Sequence, residues 1–175
     1  MRLITHDILD STNAEGLRYL KESGTAALPV WIMCHEQTRG RGRRGRDWIS
    51  QKGNLFCSGI YPLSSQPAID AQKSFVASLA VYDVISAYVD EKLVSIKWPN
   101  DVLIKGAKVS GLLLERHQNG LVIGIGINLI HAPKIQDYLT GSVLEHIRPS
   151  NLDDCLLYTS PSPRDQRGSR MPSSA

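Results

Sequence analysis

Apolar and polar positions follow two periods along this chain, and the places where one period gives way to the other mark the elements. Leu3 to Leu9 alternates closely enough to predict a short strand. "TNAE", Thr12 to Glu15, reads as a capping box, with Thr12 at the N-cap and Glu15 reaching back. Leu17 and Leu20 then share one face of a short helix that Gly24 ends. "LPVWIMCHEQ" is rich in β-formers and predicts a buried strand leading into an arginine loop; "NLFCSGIY", Asn54 to Tyr61, predicts another. From Asp70 to Val89, the residues Phe75, Leu79, Tyr82, Ile85 and Val89 recur at helical spacing, which predicts the longest helix, packed on a sheet. "VSIKW" is a strand whose Trp98 is held extended by Pro99. "DVLIKGAKVSGLLLE" predicts two strands joined in a tight hairpin at Gly106-Ala107, and "GLVIGIGINLI" a last strand. Strands that mostly meet in hairpins, with helices between some of them, predict an α+β domain on a mixed β-sheet.

The chain's 175 residues suffice for one domain with a real core, and 42% apolar with 21% charged residues is ordinary for a soluble protein. The net charge of +3 conceals a local concentration. "RGRGRRGR", Arg39 to Arg46, carries five arginines, so the rest of the body is slightly acidic. A general nucleic-acid binder spreads its basic residues over a face, whereas one concentrated loop suits a small anion better. Cys34, Cys57 and Cys155 form no C-x-x-C pair, which predicts reduced thiols in a cytoplasmic protein and argues against a zinc site. No signal peptide and no apolar run near the ~20 residues of a membrane span is present, so no membrane partner is expected. From Cys155 to Ala175 the chain turns Ser-, Pro- and Arg-rich without apolar periodicity. That stretch is expected to be a disordered or artefactual tail on a catalytic domain at 1–154 that is itself incomplete at its C-terminal end.

Gly40, Gly42 and Gly45 spell G-x-G-x-x-G, but a dinucleotide fingerprint needs a helix opening at its third glycine. Here Arg46-Asp47-Trp48-Ile49 and a further glycine follow, so the Rossmann reading fails. What remains is a glycine-rich loop of guanidinium forks suited to phosphate or carboxylate oxygens. Ordering eight such residues costs on the order of 10 kcal/mol, so the empty loop is expected to be mobile and to close over an anion. A solvated basic loop or a nucleic-acid-contacting arm is the alternative. "KWPND", Lys97 to Asp101, ends a strand with an amide beside a carboxylate, a candidate for Mg²⁺ and equally a plain turn. In "KVSGLLLE" and "GIGIN", glycines within apolar strands mark close approach of a ligand or of other chain, and Lys108 and Asn128 stand beside them.

Taken in order, "STN", "EQTRGRGRRGR" with Trp48, "KWPND", "KVSGLLLE" and "GIGIN" resemble the catalytic domain of the biotin–protein ligase family over about residues 5 to 130. The resemblance implies a biotin/lipoate ligase-like fold of the class II synthetase type. It implies a two-step reaction: biotin's carboxylate attacks the α-phosphate of ATP, carried with Mg²⁺, and a lysine of a biotin carboxyl carrier protein then takes the acyl group from biotinyl-AMP. On that resemblance Ser11, Thr12, Asn13 and Gln37 line the biotin pocket, and Gly40, Arg41, Gly42 and Arg43 contact biotin and the adenylate phosphate. Lys108 stabilises the charge that develops on adenylation, with Arg41 and Arg43 as its catalytic partners. Gly111 and Gly124 admit the ligand, Trp48 and Asn128 face the adenine, and Asp101 is the Mg²⁺ partner; Arg44 and Arg46 order the loop. No winged-helix segment precedes residue 1, so DNA is not an expected partner, and a homodimer is a possible assembly. Lipoate or octanoate chemistry on the same fold is the nearest competitor.

Overall fold

The computed structural model describes residues 2–25, 28–117 and 120–147; the segment from Cys155 onward lies outside them. Seven strands and two helices follow one another: β1 (Arg2–Leu9), α1 (Thr12–Ser23), β2 (Val30–Gln37), β3 (Leu55–Pro62), α2 (Pro67–Tyr88), β4 (Val94–Lys97), β5 (Asp101–Ile104), β6 (Ala107–His117) and β7 (Gly120–Ile127). The strands form one sheet in the order β1-β2-β3-β7-β6-β5-β4. β1 and β2 are parallel, with α1 as their crossover, and every other pairing is antiparallel, so the sheet is mixed as expected. Among the described residues no helix is long and apolar enough to cross a membrane.

Period-two alternation divides the buried apolar residues of the strands between two cores. Val30, Ile32, Ile60 and Val122 face α1, where Leu20 completes the cluster. On the opposite face Val81, Ile85 and Val89 pack over Val102, Ile104, Val109 and Ile127. Each such buried side chain contributes about 1.5–3 kcal/mol, which holds one helix against each face.

Three local expectations change. Thr12 is not the N-cap of α1: Ser11 holds that place and makes no side-chain cap. Thr12 N donates instead to Gln37 Oε1 at 2.8 Å, so β2 supplies the cap, while Glu15 turns outward to Arg18 at 2.7 Å. On α2, Phe75 and Leu79 are 37% and 53% exposed, and the sheet-facing row runs through Ser78, Val81 and Ile85. Apolar residues occupy nearly every side of that helix, so spacing alone did not select a face. The β5–β6 hairpin turns at Lys105-Gly106, whose φ values of 48° and 81° suit a two-residue turn of the primed type, one position before the expected pair.

Candidate active site

Between Gln37 and β3 the arginine segment folds back on itself as a small hairpin. Gly42 N donates to Arg46 O at 2.7 Å and Trp48 N to Gly40 O at 2.9 Å, and the tip Arg43–Gly45 is a single 3₁₀ turn. Arg44 and Gly45 take positive φ there, and no α-helix opens after Gly45, in keeping with the failed dinucleotide reading. A Cβ on Gly40 would lie 2.2 Å from Trp48 O, so this glycine is needed for the two arms of the hairpin to meet. The hairpin covers a cleft on the α1 face of the sheet, with Ser11, Thr12 and Asn13 at one end and Lys108 at the other.

Twelve of the fourteen expected residues line this cleft: Ser11, Thr12, Asn13, Gln37, Arg41, Gly42, Arg43, Trp48, Asp101, Lys108, Gly111 and Gly124. Gly40 does not line it. Asn128 belongs to a smaller neighbouring hollow, which it shares with Trp48, Tyr138 and Thr140. Asn128 donates to Gly141 O at 3.2 Å, and its Oδ1 is buried without a hydrogen-bond partner, as is Trp48 Nε1.

A register shift places the lysine. Lys108 and Gly111 are three apart and would face opposite sides of a regular strand. Opposite β5, however, Ser110 pairs with Val102 and Lys108 with Leu103, leaving Val109 as an extra residue. Val109 and Ser110 are both fully buried, and the bulge turns Lys108 onto the same face as Gly111. Its ammonium lies 2.8 Å from Asp101 Oδ1 and 5.5 and 5.4 Å from the centroids of the Trp48 and Tyr138 rings. Two aromatic faces and one carboxylate thus hold the cation in position. Burial pushes the Tyr138 hydroxyl above its ordinary pKa.

Gly111 and Gly124 line the cleft as expected, and the strand glycines are also where the site's own side chains approach the sheet. A Cβ at Gly124 would lie 2.1 Å from Asn13 Oδ1. At Gly126 it would lie 2.5 Å from the Trp48 ring, and at Gly111 2.9 Å from that ring and 3.1 Å from Lys108 Nζ. They make room for the site's own side chains, which in turn form the cleft wall.

Several participants escaped the sequence reading. Ser58, fully buried in β3, donates to Asn13 Oδ1 at 2.6 Å and shares a hydrogen bond with Thr12 Oγ1 at 2.8 Å. Its signal was a lone hydroxyl in an apolar strand. Asn100, the amide that the sequence set beside Asp101, takes a different part: it accepts from Arg43 Nη1 at 2.8 Å and donates to Leu112 O at 2.8 Å, tying the loop tip to β6. Glu115 pairs with Arg41 and accepts from Asn13 Nδ2 at 2.9 Å. Tyr138 comes from an aperiodic segment and left no signal.

Arg41, Arg43, Arg46 and Lys108 face the cleft against Asp47 and Asp101, so its field is positive. Arg44 lines only an adjoining groove. No group of three or more His, Cys, Asp or Glu side chains able to hold a metal exists among the described residues. Asp101 is a single carboxylate already facing Lys108. That donor set fits a Mg²⁺ carried in on nucleotide phosphates, which needs only one or two protein carboxylates.

A mixed sheet bearing a cationic, glycine-walled cleft under an arginine hairpin defines a site suited to anionic groups. The chain belongs to the biotin/lipoate A/B protein ligase family, whose profile matches residues 8–129. It is 44% identical over 131 residues to a biotin–[acetyl-CoA-carboxylase] ligase of Paracoccus denitrificans, an alignment covering 71% of this chain and 53% of that protein. The chain therefore spans about half the length of that relative. The biotin protein ligase of Aquifex aeolicus, solved in complex with biotin and ATP, superposes with a TM-score of 0.65 at 29% identity, covering 90% of this chain and 66% of that one. The Leishmania major biotin protein ligase, solved with biotin, shares the fold with a TM-score of 0.75 at 21% identity, covering 99% and 86%.

Proposed function

We propose that this chain carries the catalytic site of an enzyme that attaches biotin to a carrier-protein lysine at the expense of ATP, through biotinyl-AMP. The observation that carries the reading is Lys108, turned by the bulge into the cleft that Arg41 and Arg43 also line. A carboxylate and a triphosphate repel each other, and at about 4 Å and an effective dielectric near 20 each added cation offsets about 4 kcal/mol of that repulsion. A biotin carboxylate oxygen attacks the α-phosphorus, the bond to the β-phosphate oxygen breaks, and pyrophosphate leaves. The carrier lysine's amine then attacks the acyl carbon and AMP departs. Lys108, Arg41 and Arg43 stabilise the charge on the phosphoryl oxygens in the first step, and the arginine hairpin keeps water from the mixed anhydride.

The polar end of the cleft, formed by Ser11, Thr12, Asn13 and Gln37, supplies hydrogen bonds for biotin's ring. The buried, unpartnered Asn128 Oδ1 and Trp48 Nε1 favour a nucleobase in the adjoining hollow, since adenine offers both a donor and acceptors. Asp101 would be the protein ligand of the Mg²⁺ that accompanies ATP, which would neutralise charge on the phosphates. The name of the Paracoccus relative, a ligase acting on acetyl-CoA carboxylase, supports a carboxyl carrier protein as acceptor. The free thiols of Cys34 and Cys57 support a reducing compartment such as the cytoplasm. β1 and β4 end the sheet as open edges, which is the support for a homodimer.

Biotin-dependent exchange of pyrophosphate into ATP tests the reading, in this chain and in the chain extended to its relatives' length. Exchange with biotin but not lipoate or octanoate is expected. Exchange driven by lipoate or octanoate alone would sink the biotin assignment.

A further inference from the structure

The backbone of Lys108 has a second neighbour besides β5, in a stretch beyond the end of β7. Lys108 N donates to Leu139 O at 2.9 Å, and Gly141 N donates to Lys108 O at 3.0 Å. Lys108 and Thr140 are thereby partners in a parallel bridge. Residues 138–141 are themselves tied down: Thr140 Oγ1 donates to Pro133 O, and Gly141 O accepts from Asn128 Nδ2 at 3.2 Å. A Cβ on Gly141 would lie 3.2 Å from that of Ala107, so the stretch runs close against β6. One residue before this pairing, the Tyr138 ring centroid lies 5.4 Å from Lys108 Nζ. The lysine side chain is only 15% exposed there.

We propose that Tyr138 is a positioning residue that keeps the Lys108 ammonium directed into the cleft. A lysine has a flexible four-carbon stem, and the one carboxylate at 2.8 Å draws its ammonium toward Asp101 without fixing that stem. The ring attracts the cation through its quadrupole and does not neutralise the charge. The N–H donors that Asp101 leaves free therefore remain for phosphoryl oxygens. Leu139, the next residue, is hydrogen-bonded to Lys108 N, so the backbone sets the separation of ring and ammonium. Trp48 reaches the ammonium at 5.5 Å from the arginine segment, whereas Tyr138 is an aromatic support independent of that segment. The consequence for rate rests on the function proposed above; the contact itself does not.

The test compares Tyr138→Leu with Tyr138→Phe in the chain with biotin and a non-hydrolysable ATP analogue present. Nuclear magnetic resonance of protein labelled with ¹³C at the lysine ε carbon reads the contact, the Lys108 signal being identified by its loss in Lys108→Arg. Ring currents should place the Lys108 Hε signal upfield of the other lysines. Y138L should move it back toward them, and Y138F should leave it in place. Tyr138 is half-buried, so both variants should keep the wild-type melting temperature. In biotin-dependent pyrophosphate exchange, Y138L should lower kcat about five- to tenfold with the KM for biotin within about twofold of wild type. Y138F should keep kcat within about twofold, because the ring and not the hydroxyl makes the contact. A Lys108 signal unmoved by Y138L would overturn the proposal, and so would an unmoved kcat in an enzyme that shows exchange. A raised KM for ATP at unchanged kcat would overturn it too, by assigning the ring to the nucleotide. A signal that moves in Y138L, in a chain without biotin-dependent exchange, would support the contact and count against the proposed function alone.

Discussion

Lys108→Ala is the substitution whose consequence follows most directly from the geometry. The ammonium sits 2.8 Å from Asp101 Oδ1, near two aromatic rings, in the cleft that Arg41 and Arg43 also line. A unit charge about 4 Å from a developing phosphoryl oxyanion is worth about 4 kcal/mol at an effective dielectric near 20, or roughly a thousandfold in rate. Asp101 already compensates part of the lysine charge, so the expected loss is about 10²- to 10³-fold. The loss should fall on kcat more than on the KM for biotin, because the lysine meets a charge that grows toward the transition state. Biotin-dependent pyrophosphate exchange measures it, with a thermal melt beside it to show that the fold persists. Exchange within about fivefold of wild type at an unchanged melting temperature would refute the role given to Lys108.

Gly124→Ala would put a methyl 2.1 Å from Asn13 Oδ1 and drive that side chain off Ser58 and Glu115. We expect about 1–3 kcal/mol of destabilisation in urea and at least about tenfold weaker biotin binding by calorimetry, and unchanged binding would show that Asn13 is dispensable. Burial pushes the Cys34 thiol up to about 11, so it stays protonated at pH 8, and iodoacetamide should label it only after denaturation. Arg18 donates to both Asp10 oxygens and holds that carboxyl at about 2, below its ordinary 3.8. The resulting stability is present above pH ~4 and lost as pH falls toward ~2. Because both side chains are more than 40% exposed, Asp10→Asn should cost under about 1 kcal/mol at pH 7, and the difference should vanish near pH 2.

Local periodicity was enough to read the elements. The β-formers of "VWIMCHEQ" and the glycine after "KES" fix a strand and a helix end from neighbours only, and the structure agrees within a residue or two. Failures came where the deciding contact lies far along the chain. Thr12 left its expected capping role because Gln37 and Ser58, 25 and 46 positions away, claim its amide and hydroxyl. The face of α2 was illegible because its apolar residues surround the axis, and only the sheet beneath selects one arc.

The order of the motifs was sufficient to bring twelve expected residues to one cleft, since residue types that need each other chemically recur in a spacing that one fold satisfies. What the glycines are for was decided in three dimensions. Gly111 and Gly126 face Trp48 of the arginine segment and Gly124 faces Asn13 of α1, and local spacing, which marked these glycines as points of close approach, does not say which side chain arrives. The direction of Lys108 belongs to the same category. Regular alternation turns it away from Gly111, and one extra residue in β6, set by pairing with β5, turns it back. The residues and their chemistry were written in the chain; their convergence depended on register, because a shift of one position exchanges the two faces of a sheet.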